Sequence, residues 1–239
     1  MRRGGSDIYD FLSERIRTEF DAVRVLHETT RGSVTLLRHR GSGKAYILRQ
    51  MHGASDVYRR LLGMSCPYLP RIYEATEKNG ETLVLEEFIR GDTLYDLLIG
   101  TRFTQKETRI IALELGKALW VLHSVGAVHR DVKPENVILR SDGAVLIDFD
   151  ASRVVKAGAD GDTLVLGTIG YAAPEQFGLS QTDARADIYS LGVLMNVMLT
   201  GKHPSSELAK GHLGRVIQKC TMTAPEKRYA DVLQLMEAL

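Results

Sequence analysis

Apolar residues first recur at helical spacing between Asp7 and Phe20, where Ile8, Phe11, Leu12 and Ile16 fall on one stripe. That spacing predicts an amphipathic helix packed onto the adjoining lobe. The pattern then changes to strand. Val34–His39 runs through Gly41-Ser42-Gly43 into Ala45–Arg49, a hairpin with a glycine-containing turn. A second hairpin joins Ile72–Thr76 to Thr82–Glu86, with Asn79-Gly80 at its tip, a dipeptide that tolerates the positive φ of a tight turn. One short helical piece, Asp56–Leu62, lies between the hairpins.

After Gly91 helical periodicity dominates. Thr104 and Glu107 form a capping box, and Ile111, Leu115, Leu119 and Leu122 make a stripe up to His123. A small hairpin comes next, Val137–Leu139 and Val145–Ile147 around Asp142-Gly143. Asp148–Phe177 shows no strong periodicity. Asp183 is placed to cap a helix carrying Ile188, Leu191, Leu194, Met195 and Met198, which Gly201 and Pro204 end. Trp120, Met195 and Met198 are read as core. Two short helices, Leu213–Thr221 and Ala230–Leu239, close the chain. The pattern divides the molecule into an N-terminal helical extension (1–22), a strand-rich lobe (23–90) and a helical lobe (91–239), and a cleft between two such lobes is a natural small-molecule site.

Composition narrows the classes. The 239 residues are 44% apolar and carry a formal net charge of +1, so a sizeable core is available and nothing points to nucleic acid or an anionic membrane. The start, Met1–Phe11, lacks the apolar run of a secretory signal, and no stretch of about 18 apolar residues exists to span a bilayer. Two distant cysteines, Cys66 and Cys220, read as free thiols of a cytoplasmic protein.

The chemistry concentrates in His129-Arg-Asp-Val-Lys-Pro-Glu-Asn136, between the capped helix and the small hairpin, and in Asp148-Phe-Asp150 on the exit of that hairpin. Phosphoryl transfer needs metal ions against phosphate charge, a cation near the moving group and a carboxylate for the nucleophile. Asp131 suits the hydroxyl proton, Lys133 the transferring phosphate, and Asn136 and Asp148 are hard oxygen donors suited to Mg²⁺.

These residues resemble the protein-kinase family. HRDVKPEN matches the family's catalytic loop, and Ala173-Pro-Glu175 its A-P-E element. Gly167–Gln176 is similar to bacterial Ser/Thr kinases of the eukaryotic-like type, and the likeness runs from about Val23 to Leu239. The resemblance implies an α+β, two-lobed kinase fold and a Ser/Thr protein kinase using ATP with Mg²⁺, or alternatively Mn²⁺. It implies that Asp187 braces the catalytic loop and that Arg228 pairs with Glu175, both structural roles. Gly32, Val34, Ile47, Arg49, Glu86, Glu87, Ile89 and Leu139 correspond to nucleotide-lining positions. Arg130 would receive a phosphate on Thr163 in the activation segment, while Thr168 either takes a phosphate or contacts Asp131 and Lys133. The implied partners are a protein substrate and a second copy of the chain, in a homodimer for autophosphorylation in trans.

The chain departs from the family on the nucleotide side. Only Gly32 survives of the glycine-rich loop, in His27-Glu-Thr-Thr-Arg-Gly-Ser-Val34. Arg49 replaces the strand lysine, whose partner in the family is a glutamate on the helix downstream, and no Glu occurs between Arg49 and Glu74 to fill that place. Two carboxylates compete for that role, Asp56 and Glu86, with Glu86 preferred because an acid in an apolar pocket requires a partner. Asp150 stands where the family has glycine. The short span from Pro204 to Leu213 predicts a shortened region after the central helix of the helical lobe. Two other functions compete with an active kinase: a pseudokinase or nucleotide-binding scaffold, favoured by Arg49 and Asp150, and a small-molecule phosphotransferase, opposed by Gly167–Gln176.

Overall fold

The computed structural model describes residues 5–53, 56–154, 168, 170–178 and 182–239. They divide into two compact units, the first reaching Ser65 and resuming over Pro70–Ile89, the second made of Cys66–Leu69 and Arg90–Leu239.

The first unit is an antiparallel sheet with a helix on each face. Helix α1 (Gly5–Glu19) leads into β1 (Phe20–Thr29), β2 (Gly32–His39) and β3 (Ala45–His52); after α2 (Asp56–Leu61) come β4 (Ile72–Lys78) and β5 (Glu81–Glu87). The strand order is β1-β2-β3-β5-β4. Register sorts the side chains. Leu37 opposes Tyr46, and Leu48 opposes Leu85, so these share one face. There Phe20, Leu37, Leu48, Leu83 and Leu85 bury against Leu12 of α1, with Tyr9 and Ile16 at the margin. An ion pair from Asp10 to Lys78, 2.6 Å, ties α1 to β4. Asn79 and Gly80 both have positive φ, as the β4–β5 turn requires.

The sequence pattern misses β1. Its residues beyond Phe20 are exposed and its pairing with β2 is interrupted by two register shifts, so it carries no alternation. Gly32, at the β1–β2 turn, lies so close to β3 that a Cβ would fall 2.1 Å from the Gln50 carbonyl oxygen. Backbone approach within the sheet is therefore enough to require glycine there.

The second unit is helical, with two small strand groups. β6 (Asp92–Thr93) precedes α3 (Leu94–Gly100) and α4 (Gln105–Ser124). Next along the chain are β7 (Ala127–Val128), β8 (Val137–Arg140), β9 (Gly143–Leu146) and β10 (Arg153–Val154), β6 pairing with β8, β8 with β9, and β7 with β10. Then come α5 (Arg185–Thr200), α6 (Gly211–Cys220) and α7 (Val232–Ala238). The Thr104–Glu107 capping box forms as expected, and Ile111, Leu115, Leu119 and Leu122 are buried. Trp120 is a correction: it is 47% exposed, because it lies about 100° around α4 from Leu119 and off the buried stripe. Met195 and Met198 are fully buried. Helix α5 begins at Arg185 with Ala184 as its cap residue; Asp183 still accepts from the Arg185 N–H, at 2.8 Å. Among the described residues no helix is long and apolar enough to cross a membrane.

Residues 201–210 contain no helix, in keeping with the shortened region expected after α5. Buried Asn196 holds this stretch. Its amide nitrogen donates to the carbonyls of Lys202 and Glu207, both at 2.8 Å, and its oxygen accepts from Ala209 N–H at 2.9 Å. Asn196→Ala leaves those groups without their partner and is expected to cost about 1–3 kcal/mol. Urea unfolding measures this, and a midpoint equal to wild type would contradict it.

Candidate active site

The loop His129–Asn136 is presented by β7 and closed by a 3₁₀ turn at Pro134–Asn136. Its backbone is fixed by a buried carboxylate at the start of α5. Asp187 Oδ2 accepts from His129 N–H and Oδ1 from Arg130 N–H, each at 2.8 Å, while His123 Nε2 approaches Oδ2 at 2.8 Å. Burial pushes Asp187 up, but the His123 hydrogen bond and nearby positive charge outweigh it and hold its carboxyl below the ordinary value. The bracing is needed because Arg130 has φ +70°, a left-handed conformation that a non-glycine residue holds only when its surroundings impose it.

His129 is structural in its contacts. Burial pushes its pKa down, favouring the neutral ring. Nδ1 accepts from Asp131 N–H at 3.3 Å, so the proton sits on Nε2 and is donated to the Ile147 carbonyl, also at 3.3 Å. Phe149, fully buried, stands edge-on to the imidazole.

Four side chains converge on one another, three from the loop and Thr168 from farther along the chain. Thr168 Oγ1 donates to Asp131 Oδ1 at 2.7 Å and accepts from Lys133 Nζ at 2.8 Å. Lys133 Nζ also lies 2.8 Å from Asp131 Oδ2. Asn136 Nδ2 donates to Asp131 Oδ2 at 3.0 Å and to its carbonyl at 2.9 Å. Burial acts to raise the Asp131 carboxyl, but the bonds from Lys133 and Thr168 prevail and hold it below its usual range, hence ionised at neutral pH. Of the two roles weighed for Thr168, the structure shows the contact with Asp131 and Lys133. Thr163 lies outside the described residues.

Asp148 comes just after β9 with φ +69°, and its Oδ1 accepts from Asp150 N–H at 3.2 Å. The donor set fits a magnesium ion. The Asn136 nitrogen is committed to Asp131, which leaves its amide oxygen, with the Asp148 carboxylate, as hard donors of the kind Mg²⁺ takes beside phosphate oxygens.

Farther along, Glu175 and Arg228 form a two-pronged pair at 2.6 and 2.8 Å, and Arg228 also donates to the carbonyls of Met222, Thr223 and Arg185. Sequence reasoning missed Gln176. Fully buried, it donates to the Arg130 carbonyl at 2.9 Å and accepts from Ala173 N–H at 3.0 Å, joining the A-P-E turn to the catalytic loop. A polar residue directly after that motif was the available signal.

In the strand-rich unit, Val34 opposes Arg49 and Arg49 opposes Val84, while Ile47 opposes Glu86. Val34, Ile47, Arg49 and Glu86 therefore share the face away from α1. Arg49 Nε donates to Glu86 Oε1 at 2.7 Å, both side chains being almost fully buried. Asp56, the competing carboxylate, is exposed in the first turn of α2. Glu87 Oε2 accepts from Arg71 N–H at 3.2 Å, and Ile89 is buried. Lys44 turns to Tyr73, donating to its hydroxyl at 3.1 Å. Leu139 belongs to the helical unit, on β8 opposite Asp92.

With that geometry established, residues 26–237 match the protein kinase domain family, and the chain belongs to it. Ribosomal protein S6 kinase alpha-2 of Homo sapiens is 30% identical over 240 residues, covering 93% of this chain and 32% of that protein. Serine/threonine-protein kinase pkn2 of the bacterium Myxococcus xanthus is 30% identical over 204 residues, covering 77% of this chain and 25% of that protein. The chain thus spans less than a third of the length of these curated relatives.

Proposed function

We propose that this chain is a catalytically active Ser/Thr protein kinase that transfers the γ-phosphoryl group of ATP to protein hydroxyls and phosphorylates its own activation segment. The observation that carries this is the Asp131–Lys133–Thr168–Asn136 network. Asp131 orients the incoming hydroxyl and accepts its proton. A carboxylate held below its usual range stays ionised and so is ready to hold and receive that proton. Lys133 places positive charge beside the path of the phosphoryl group. Bound Mg²⁺ would supply neutralisation of phosphate charge, held by Asn136 and Asp148. Val34, Ile47, Arg49, Glu86, Glu87 and Ile89, with Gly32 and Leu139, are proposed for the nucleotide. The domain division at residues 22 and 90 is part of the same reading, and so is a reducing, cytoplasmic setting, supported by the free thiols of Cys66 and Cys220.

A nucleotide-binding scaffold with little turnover is the second reading, favoured by Arg49 in place of lysine and by Asp150. Incubation with ATP and Mg²⁺, then intact-mass and peptide mapping, separates the two. We expect phosphate on Thr163, with a rate that rises with protein concentration if two copies act on each other in trans. Nucleotide binding without any phosphorylation selects the scaffold.

A further inference from the structure

Arg49 and Glu86 sit diagonally across β3 and β5, one residue pair apart, amid Ile47 and Val84. Diagonal neighbours on a sheet face are within reach of long side chains. Their side chains are 6% and 4% exposed, so neither charge is screened by water. The third component comes from α2. Tyr58, fully buried, lies with its ring centroid 5.9 Å from the Arg49 guanidinium carbon, at the outer limit of a cation–π contact. What α2 presents to Arg49 at this point is thus an aromatic ring, while the hydrogen-bonding carboxylate comes from the sheet.

We propose that Glu86 is the positioning residue for Arg49, and that this sheet-internal pair stands in place of the strand-to-helix ion pair of the family. The inference rests on the reading of the chain as an ATP-using kinase with Arg49 as its phosphate-side cation. Arginine is the residue this arrangement requires. Its five N–H donors form a planar fork, of which Nε holds Glu86, and the flat guanidinium group lies near the Tyr58 ring. A lysine ammonium lacks that fork and that face. Two strands paired along their length carry cation and acid together, so the cation's position is set without an acid on α2. Displacement of α2 would leave the Arg49–Glu86 pair in place, because both residues lie on the sheet, and control of this kinase through that helix would act on Tyr58 packing and on the Arg59–Glu77 pair instead.

Nucleotide affinity, by fluorescent ATP-analogue titration, is measured beside KM for ATP, kcat and melting temperature, using the full chain. Glu86→Met is expected to raise both Kd and KM by about 10- to 100-fold, with a smaller change in kcat. Glu86→Gln keeps an acceptor for Nε–H but not the counter-charge, and is expected to fall between wild type and Glu86→Met. Because the Met variant leaves a buried charge, the double variant Arg49→Met/Glu86→Met is included. It is expected to recover melting temperature but not nucleotide affinity. Asp56→Ala should leave KM for ATP unchanged. The proposal is overturned by wild-type affinity in Glu86→Met, by wild-type affinity in the double variant, or by a weakened Asp56→Ala. A wild-type chain that binds nucleotide without turnover overturns the active-kinase reading alone, and the binding series then still decides on Glu86.

Discussion

Asp131→Asn is expected to lower phosphoryl transfer by about 10²- to 10⁴-fold, the range for loss of a positioned proton acceptor. The substitution keeps the shape and one oxygen, so the Thr168 hydroxyl or the Lys133 ammonium retains a partner. What disappears is the negative charge that attracts the substrate hydroxyl's proton. The amide nitrogen, if it turns toward Lys133, brings two donors together. Nucleotide affinity should stay near wild type, since Asp131 is assigned to the hydroxyl and not to ATP. Single-turnover transfer from labelled ATP to a Ser-containing peptide, beside analogue titration, tests both halves. A variant within tenfold of wild-type turnover removes Asp131 from the chemistry.

The second large effect is on folding. Asp187→Ala is expected to cost about 3–5 kcal/mol, the usual result of removing one partner from a buried charged network. The His129 and Arg130 N–H groups and the His123 ring all lose their acceptor. Arg130 then has less to hold it at φ +70°, and the Asp131 next to it loses its fixed direction. Asp187 also dictates an acid response. Its carboxyl is held below the ordinary value in the folded chain, so the unfolded chain binds the extra proton first. Its contribution to stability is complete above the ordinary carboxylate pKa and is lost as the pH falls from there through the lower, folded value. Urea midpoints taken from neutral pH into the acid range should fall more steeply for wild type than for Asp187→Ala. Parallel curves, or a loss below about 1 kcal/mol at neutral pH, would contradict the bracing role.

Local chemistry explains why the catalytic loop was legible in the sequence. Asp131, Lys133 and Asn136 act within one turn of chain, so their spacing already encodes their contacts. The Arg49–Glu86 pair was legible for a different reason: strand side chains alternate with period 2, and two hairpins fix which residues share a face. Tyr58, Gln176 and His123 were not read as site residues. Each reaches its partner across the tertiary fold, and nothing in the neighbouring sequence marks the partner. β1 escaped because an exposed strand with two register shifts has no buried side to impose alternation. Trp120 misled because apolar identity was weighed above its angular position on α4.

Helix α1 has a practical bearing on where this domain starts. The stretch matched by the family begins at residue 26, yet Leu12 and Phe20, upstream of it, complete the leucine-lined surface made by Leu37, Leu48, Leu83 and Leu85. A polypeptide trimmed to the family's conventional limits would leave that greasy patch bare and free to stick to its neighbours. In this chain the helix is a lid on the sheet, and the smallest well-behaved unit has to include it.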